Sequence, residues 1–272
     1  MLAVATTADR IDALIRRLCD FGLLAAEHRA PGEARRVVVA RLDDESTSES
    51  AAVALRAEGW MAVTRPAEGP ALAAWHSATR PVVIADRFGI CLAWSEHDRA
   101  GLPAMIELGP GGFGSGHHPT TRMLAEEIAA RTRPGDRVLD VGCGSGVLAF
   151  CAIRAGAAHA VALDLKPEAI AATRANAALN GMADTVRATS TPLEQIDDSF
   201  DLVVANIARA GIVASARGLV SSVSSGGVLM VSGISPAQRS LVAGHLQPLV
   251  AIDDRIDGDW STLTLAHPTP AT

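Results

Sequence analysis

The sequence has one run of residues with a clear chemical meaning, between positions 138 and 149. It passes from apolar residues through Asp140 to three glycines at alternate positions, and then to an alanine-rich stretch. This order predicts a strand, a tight turn and a helix, and glycines let the backbone of such a turn come close to a ligand. A second apolar run, 160–163, ends in Asp164. A nucleotide-binding α/β unit places there the carboxylate that holds the ribose hydroxyls.

The spacing of the three glycines distinguishes two classes of cofactor. A dinucleotide fingerprint reads G-x-G-x-x-G and needs its third glycine at position 147, where this chain has Val147. The third glycine is instead Gly146, so the pattern from Asp140 reads D-x-G-x-G-x-G. This pattern resembles the first motif of S-adenosylmethionine-dependent methyltransferases. The alternative is a turn whose glycines only pack a strand against a helix, and Asp140 and Asp164 count against it.

The composition argues against several classes of protein. With 272 residues, 49% hydrophobic and 3% aromatic, the chain can bury a full core built mainly from aliphatic side chains. A net charge of −6 argues against broad nucleic-acid binding, and the apolar runs fall short of the roughly 18 residues that span a bilayer. The cysteines form no C-x-x-C pair and no signal peptide precedes them, so we expect reduced thiols in a cytoplasmic protein. They are Cys19, Cys91, Cys143 and Cys151.

The order of elements predicts a small domain followed by a larger one. Residues 1–66 are expected to form an α+β domain, with strands at 2–5, 36–40 and 60–64 and helices from 8 to about 26 and from 46 to 59. Residues 67–102 are expected to form a linker and a β-hairpin. The larger domain, 103–272, has predicted strands at 138–141, 160–163, 202–205, 228–232 and 261–266. Helices between those strands predict an α/β fold with a doubly wound sheet.

A second glycine-rich loop, 111–118, directly precedes a predicted helix. Pro119 and the threonines after it suit the start of that helix. Backbone amides at a helix start suit a carboxylate ligand, so we expect the loop to close over the amino-acid end of a cofactor. His117 and His118 are adjacent, but no matching set of cysteine, histidine or carboxylate residues accompanies them, and no metal site is predicted.

Asn206 ends a predicted strand, 200–205, at the edge where active sites of parallel sheets lie. Its carboxamide oxygen can accept hydrogen bonds from an amine and orient the lone pair of the nitrogen. The alternative is an asparagine that only forms a turn after the strand. The position of the strand after the segment that ends in Asp164 favours the functional interpretation.

Over most of its length the chain resembles the ribosomal protein L11 methyltransferases of the PrmA type. The resemblance lies in segments 114–121, 140–146, 164–167, 175–181, 203–207, 232–234 and 258–260. It implies a small N-terminal recognition domain, a linker, and a class I methyltransferase domain with a doubly wound, mostly parallel, seven-stranded sheet. It also implies contacts to S-adenosylmethionine at Thr121, Gly142, Asp164 and Asn206. We expect further cofactor contacts at Gly144 in the turn and at Phe113, Gly116 and His117 in the loop.

These observations predict an enzyme that transfers methyl groups from S-adenosylmethionine to lysine side chains or an N-terminal amine of a protein. The resemblance implies a large-subunit ribosomal protein as the substrate. The enzyme must align the reacting atoms and keep the acceptor amine neutral, with Asn206 orienting it and no general base named. One alternative is a methyltransferase of the same build that acts on another protein or a small molecule. Another is a non-catalytic module that binds the cofactor or the ribosome, while Val147 disfavours a nicotinamide-dependent oxidoreductase.

Overall fold

The computed structural model describes residues 1–31, 35–111 and 114–268, and the chain divides into two compact units. Unit 1 consists of residues 1–82 and 89–110, and unit 2 of residues 83–88 and those from 111 onward. Among the helices of the described residues, none combines the length and the apolar character that a bilayer crossing requires.

Unit 1 begins with four strands and two helices that build an α+β core. They are β1 (Leu2–Thr6), α1 (Ile11–Cys19), β2 (Ala25–Arg29), β3 (Arg36–Arg41), α2 (Glu45–Ala57) and β4 (Met61–Thr64). The strands form one antiparallel sheet in the order β2-β3-β1-β4. Val4 and Val38 point from the sheet into a core that Leu14 and Leu55 of the two helices complete. The predicted α+β character of this region is confirmed.

The helix predicted from residue 8 to about residue 26 is shorter in the structure. It ends at Cys19, after which Gly22 adopts a left-handed φ of 77° and the chain returns as β2. A glycine in this conformation is a common end to a helix. The residues of β2 are all exposed, so they lack the apolar alternation that identifies a strand in a sequence. The longer helix is therefore wrong at its C-terminal end.

The segment after β4 contains a helix and three short strands. They are α3 (Gly69–Ala78), β5 (Val82–Ile84), β6 (Phe88–Leu92) and β7 (Met105–Leu108). The strands form a sheet in the order β5-β6-β7, in which β6 and β7 run parallel. The first two strands lie in the segment for which the sequence predicts a hairpin.

Two carboxylates with little solvent exposure in unit 1, Glu96 and Glu107, each meet two arginines. The partners are Arg29 and Arg65 for Glu96, and Arg35 and Arg99 for Glu107. The guanidinium nitrogens of the first two lie 3.1 and 3.0 Å from the Glu96 oxygens. The Glu96 side chain is 2% exposed, and its oxygens have charge contacts without an aligned hydrogen bond. Both clusters join residues that are far apart in the sequence.

Unit 2 contains the seven-stranded sheet. Its elements are α4 (Pro119–Arg131), β8 (Arg137–Val141), α5 (Val147–Ala155), β9 (His159–Leu163), α6 (Pro167–Leu179), β10 (Val186–Thr189), β11 (Phe200–Asn206), α7 (Arg209–Ala214), α8 (Ala216–Ser221), β12 (Val223–Ile234), α9 (Arg239–His245), β13 (Val250–Asp257) and β14 (Trp260–Ala266). The strand order is β10-β9-β8-β11-β12-β14-β13. The first five strands are parallel, and β14 runs antiparallel to both of its neighbours. The predicted doubly wound, mostly parallel sheet is confirmed.

The centre of this sheet is the point where the direction of strand order reverses. There β8 lies beside β11, although β9 and β10 separate them in the sequence. A crevice opens at such a point beyond the carboxyl ends of the strands. Leu139 and Ala205 point into the core on one face of the sheet. Because side chains alternate along a strand, Asp140 and Asn206 take the opposite face.

Candidate active site

The glycine turn lies between β8 and α5, as the sequence predicts. Asp140, near the end of β8, is buried, and its Oδ2 accepts a hydrogen bond from the backbone N–H of Ala149 at 3.2 Å. Its Oδ1 is buried without a hydrogen-bond partner among the described residues. Burial raises the pKa of Asp140 to about 7. Burial likewise raises the pKa of the Cys143 thiol to about 12, so this thiol stays protonated and is a poor nucleophile.

Gly142 is required by the protein's own packing as well as by its backbone conformation. Its φ is 78°, and a Cβ atom there would lie 2.3 Å from Cγ2 of Ile207. Ile207 directly follows Asn206, so the strand end that carries the asparagine is packed against the turn. The sequence alone does not reveal this role of Ile207, because the contact joins residues that follow two strands distant in the sequence.

Asp164 follows the end of β9 and holds the turn from the side. Its Oδ2 accepts a hydrogen bond from the backbone N–H of Gly144 at 3.0 Å, and its Oδ1 accepts one from that of Lys166 at 3.0 Å. A carboxylate has about four lone-pair positions on its two oxygens. Each oxygen of Asp164 therefore retains acceptor capacity for a ligand.

Two side chains of α6 hold the other side of the turn, a role that does not follow from the sequence pattern. Thr173 Oγ1 donates to the carbonyl of Gly144 at 3.2 Å, and Asn176 Nδ2 donates to the carbonyl of Ser145 at 2.9 Å. Both side chains are buried. The sequence does contain one signal for this role. Thr173 and Asn176 are three residues apart, which places both on one face of a helix that is otherwise rich in alanine.

The loop before α4 is organised by its own histidines and serine. His118, and not a threonine, caps α4, because its Nδ1 accepts from the backbone N–H of Thr120 at 3.4 Å. Its ring also packs edge-on against Trp260. Ser115 Oγ and His117 Nδ1 lie at hydrogen-bond distance, 3.4 Å apart. Ser145 Oγ of the glycine turn donates to the carbonyl of Gly114 in the loop at 3.2 Å. Phe113 lies outside the described residues.

Asn206 and Thr121 meet, although 85 residues separate them in the sequence. Asn206 is the last residue of β11 and is partly buried. Thr121 lies in the first turn of α4 and is 0% exposed. Asn206 Nδ2 donates to Thr121 Oγ1 at 3.3 Å. The carboxamide of Asn206 is thereby held at its nitrogen end.

A cleft of about 710 Å³ lies at the carboxyl ends of the parallel strands. Four of the predicted site residues line it, namely Gly142, Gly144, Asp164 and Asn206. Its apolar wall includes Leu165, Pro192 and Leu193, and the first of these is 85% exposed. Thr121, Gly116 and His117 are not among the lining residues. The structure thus gathers the turn, the acid and the asparagine around one cavity, with Thr121 bonded to Asn206.

Sequence comparisons place this arrangement among known proteins. The family model described as ribosomal protein L11 methyltransferase (PrmA) matches residues 38–268. A ribosomal protein L11 methyltransferase from Citrifermentans bemidjiense is 37% identical over 201 residues, which cover 71% of this chain and 66% of that protein. One from Geobacter metallireducens is 38% identical over 192 residues, which cover 70% of this chain and 63% of that protein. The matched region spans slightly less than two thirds of the length of these relatives.

A solved structure gives the same result for the fold. The crystal structure of a ribosomal protein L11 methylase from Lactobacillus delbrueckii subsp. bulgaricus has a TM-score of 0.64 and 28% sequence identity to this chain. The match covers 70% of this chain and 100% of that one. The fold of unit 2 is that of the class I methyltransferases. Because the family model matches most of the sequence, the chain belongs to the ribosomal protein L11 methyltransferase (PrmA) family.

Proposed function

We propose that this protein transfers methyl groups from S-adenosylmethionine to amino groups of a large-subunit ribosomal protein, of which L11 is the candidate that its relatives' names supply. One observation carries the proposal. The glycine turn and Asp164 line the same cleft as Asn206, so groups suited to a nucleoside and a group suited to an amine face one cavity. The family membership supports the same reaction.

The cleft fits S-adenosylmethionine in its size and in the chemistry of its walls. Its volume of about 710 Å³ is in the usual range for a site that encloses a small molecule. The Asp164 carboxylate retains acceptor capacity for ribose hydroxyls, because its bonds to backbone N–H groups use only part of it. Leu165, a large apolar side chain left exposed on the wall, suits contact with a flat aromatic base.

We assign the residues of the cleft the following roles. Asp164 binds the ribose, and Gly142 and Gly144 leave the turn without side chains where the methionine part lies. Gly116, His117 and Phe113 belong to the loop that we propose closes over the amino-acid end. When bound, S-adenosylmethionine supplies a methyl group already activated by its sulfonium. The protein therefore has to align donor and acceptor and to exclude water.

Asn206 is the residue that we propose orients the acceptor. Its carboxamide oxygen accepts an N–H bond from the amine, which turns the nitrogen lone pair toward the methyl group. The amine must be neutral to react, and a free lysine has a pKa of about 10.4. Removing an ammonium from water lowers its pKa, so a partly enclosed cleft favours the reactive form without a strong general base.

The remaining parts of the proposal concern partner and location. We assign recognition of the protein substrate to residues 1–66, a connecting role to 67–102 and methyl transfer to 103–272. The net charge of −6 argues against a direct nucleic-acid partner. The four cysteines are all unpaired, which fits a reaction in the reducing cytoplasm where ribosomes are assembled.

The experiment that tests the function incubates the protein with methyl-labelled S-adenosylmethionine and purified L11, followed by mass spectrometry of the acceptor. We expect label on lysine or N-terminal amines, and none on L11 whose amines have been acetylated beforehand. Asn206→Ala should lower the rate by about 100-fold, because the amine loses its alignment. Unchanged methylation by this variant would show that the role given to Asn206 is wrong.

The same assay separates the alternatives. Label that appears in a cell extract on another protein or on a small molecule, but never on L11, identifies a methyltransferase with a different acceptor. Calorimetric binding of S-adenosylmethionine without transfer to any acceptor identifies a non-catalytic module. Binding of NAD in its place would overturn the assignment of the cofactor.

A further inference from the structure

We propose that Arg87 is a positioning residue of the methyl-transfer site, although it lies in the segment to which we assign only a connecting role. Its guanidinium joins the carboxyl ends of α4 and α5. Those two helices begin at the glycine-rich loop and at the glycine turn of the site. A fixed spacing at one end of the pair sets how the loop lies against the turn at the other end. This inference rests on the proposed function, because it gives that spacing a role in binding the cofactor.

Arg87 follows a turn with an unusual backbone. The turn joins β5 to β6, and residues 83–88 belong to unit 2. The two central residues, Ala85 and Asp86, have left-handed φ angles of 48° and 52°, and the backbone N–H of Arg87 closes the turn on the carbonyl of Ile84 at 3.0 Å. A Cβ atom makes this conformation unfavourable, and residues keep it where the surrounding structure holds them. The side chain of Arg87 makes contacts that provide such a hold.

The guanidinium of Arg87 bonds to two helix ends at once. Its Nη1 donates to the carbonyl of Ala129 in the last turn of α4, and its Nη2 donates to that of Ala155, the last residue of α5, at 3.1 Å. Carbonyls in the last turn lack partners within the helix and carry the negative end of its dipole. The N–H of Arg133, which a longer helix would direct to Ala129, donates to the Asp136 side chain instead. Arg87 therefore gives both helix ends a donor and a positive charge.

The opposite ends of the same helices meet at the site. Ser145 Oγ in the glycine turn donates to the carbonyl of Gly114 in the loop at 3.2 Å. A Cβ atom at Gly114 would lie 2.9 Å from Cγ1 of Val147, the first residue of α5. The loop thus lies directly against the start of α5. The two helices are in contact, and they are joined at the cleft by these groups and at the far end by Arg87.

The distance between the two joints separates the role of Arg87 from that of a ligand contact. α4 has 13 residues and is about 20 Å long, so Arg87 acts on the site through the helices. Without its bridge, α4 and α5 keep their packing, but the spacing of their carboxyl ends is no longer fixed. The loop with Gly116 and His117 then loses its set position over Gly144. Because a site that is already ordered binds more tightly, we expect the loss to appear as weaker cofactor binding.

The test measures the Kd for S-adenosylmethionine by calorimetry, at a temperature where circular dichroism shows each variant folded. Arg87→Ala should raise this Kd by about 5-fold or more, with kcat at saturating cofactor within about 3-fold, because the loop and the turn hold the cofactor while Asn206 orients the acceptor. Arg87→Lys keeps the charge but lacks the planar fork that reaches two carbonyls. It should recover thermal stability and leave the Kd within about 2-fold of that of the alanine variant.

Arg239→Ala is the matched control. This arginine of unit 2 also bonds to a carbonyl, that of Pro236 at 3.2 Å, and to the carboxylate of Asp254, and both partners lie outside α4 and α5. Its loss should lower the melting temperature and leave the Kd for S-adenosylmethionine within about 2-fold of the wild type.

Three results would overturn the inference. An unchanged Kd in Arg87→Ala would make Arg87 a residue that only stabilises the fold. Full recovery of affinity in Arg87→Lys would make its role one of charge at the helix ends, and an equal rise of the Kd in Arg239→Ala would make the effect one of general stability. If Arg87→Ala fails to fold, Arg87→Gln serves the same comparison, because its amide can bond to one of the two carbonyls but does not span both.

A second readout is independent of methyl transfer. Amide hydrogen exchange without cofactor should be faster in Arg87→Ala than in the wild type for peptides that cover 114–124 and 142–150, and unchanged for those of β12. If the wild-type protein transfers no methyl group while this change is seen, the proposed function fails and the joint between the helices stands. If the wild-type protein is active and neither the exchange nor the Kd changes in the variant, the positioning role fails and the function stands.

Discussion

The two ion clusters of unit 1 and the glycine turn of unit 2 hold their polar groups in different ways. In unit 1, Glu96 and Glu107 each meet two arginines, so each carboxylate is surrounded by more positive charge than it carries. In unit 2, the glycine turn is held by uncharged donors from Thr173 and Asn176, and the Asp164 carboxylate is held by backbone N–H groups. In the first arrangement the charges of guanidinium groups hold a carboxylate, and in the second the dipoles of uncharged N–H and O–H groups hold the turn and the Asp164 carboxylate.

Carboxylates paired with arginines suit a part of the molecule that only supports the fold. Polar groups held by uncharged donors suit a binding site. A carboxylate enclosed by two guanidinium groups has little capacity left for a ligand. Asp164 keeps its full negative charge and part of its acceptor capacity, because neutral N–H donors orient it without neutralising it. A site that must bind changing ligands is therefore built on dipoles, and the ion clusters belong to parts of the molecule that must stay as they are.

The largest effect that sharpens this comparison is expected at Glu96. Glu96→Gln leaves the charge of Arg65, which is 5% exposed, without its partner. Removing one member of a buried ion pair costs about 3–5 kcal/mol, so unit 1 should unfold at a markedly lower urea concentration. Tryptophan fluorescence is a suitable measurement, because Trp60, Trp75 and Trp94 all lie in unit 1.

Glu27→Gln is the matched control for this prediction. Glu27 also faces Arg29, at 3.7 Å, but its side chain is 76% exposed. An exposed pair of this kind contributes at most about 1 kcal/mol. If both variants lower the stability of unit 1 equally, the Glu96 cluster is not the framework element described above.

The fold of unit 2 is readable from the sequence for a physical reason. Strands such as β8, β9 and β11 are covered on both faces, so they appear as continuous apolar runs. β2 cannot be predicted from a hydrophobic pattern of this kind. Its five residues, 25–29, are all exposed, and it exists because its backbone pairs with β3. A strand defined by pairing alone leaves no hydrophobic pattern in the sequence.

The residues of the candidate site likewise fall into those that the sequence predicts and those that it does not. Asp164 and Asn206 could be predicted because strand ends in a parallel sheet converge on one edge, whatever the details of packing. The roles of Thr173, Asn176 and Ile207 could not, since they depend on the rotation of a helix and on a contact between distant strands. The ion clusters of unit 1 are even harder to predict from the sequence, because Arg35 and Glu107 are 72 residues apart and no motif links them.

A second, smaller effect concerns the buried carboxyl of the turn. Burial raises the pKa of Asp140 to about 7, above the 3.8 of an exposed aspartate, so the folded protein holds this proton more tightly than the unfolded chain. The contribution to stability is complete below about pH 4 and is lost as the pH rises through about 7. Between about pH 5 and pH 8 the loss amounts to about 2–3 kcal/mol.

Asp140→Asn removes this titration and keeps an oxygen for the Ala149 N–H. Urea unfolding followed by circular dichroism, without cofactor, should therefore show a shallower fall in stability from about pH 5 to pH 8 for this variant than for the wild type. The other carboxylates titrate in both proteins and cancel in the difference. Parallel pH profiles would mean that Asp140 is already ionised in the folded protein at about pH 5.

The smallest effect tests whether the dipoles around the turn serve binding. Asn176→Ala removes the donor to the Ser145 carbonyl and should weaken S-adenosylmethionine binding by about 5-fold, because one lost hydrogen bond is worth about 1 kcal/mol and the turn loses its support. Asn180→Ala is the control, since Asn180 follows the same helix but donates to the Asn176 carbonyl at 2.7 Å and not to the turn. Calorimetry should give an unchanged Kd for the control. If the two variants bind the cofactor equally well, the contacts from α6 stabilise the fold in the same manner as the ion clusters, and the contrast between the units does not extend to function.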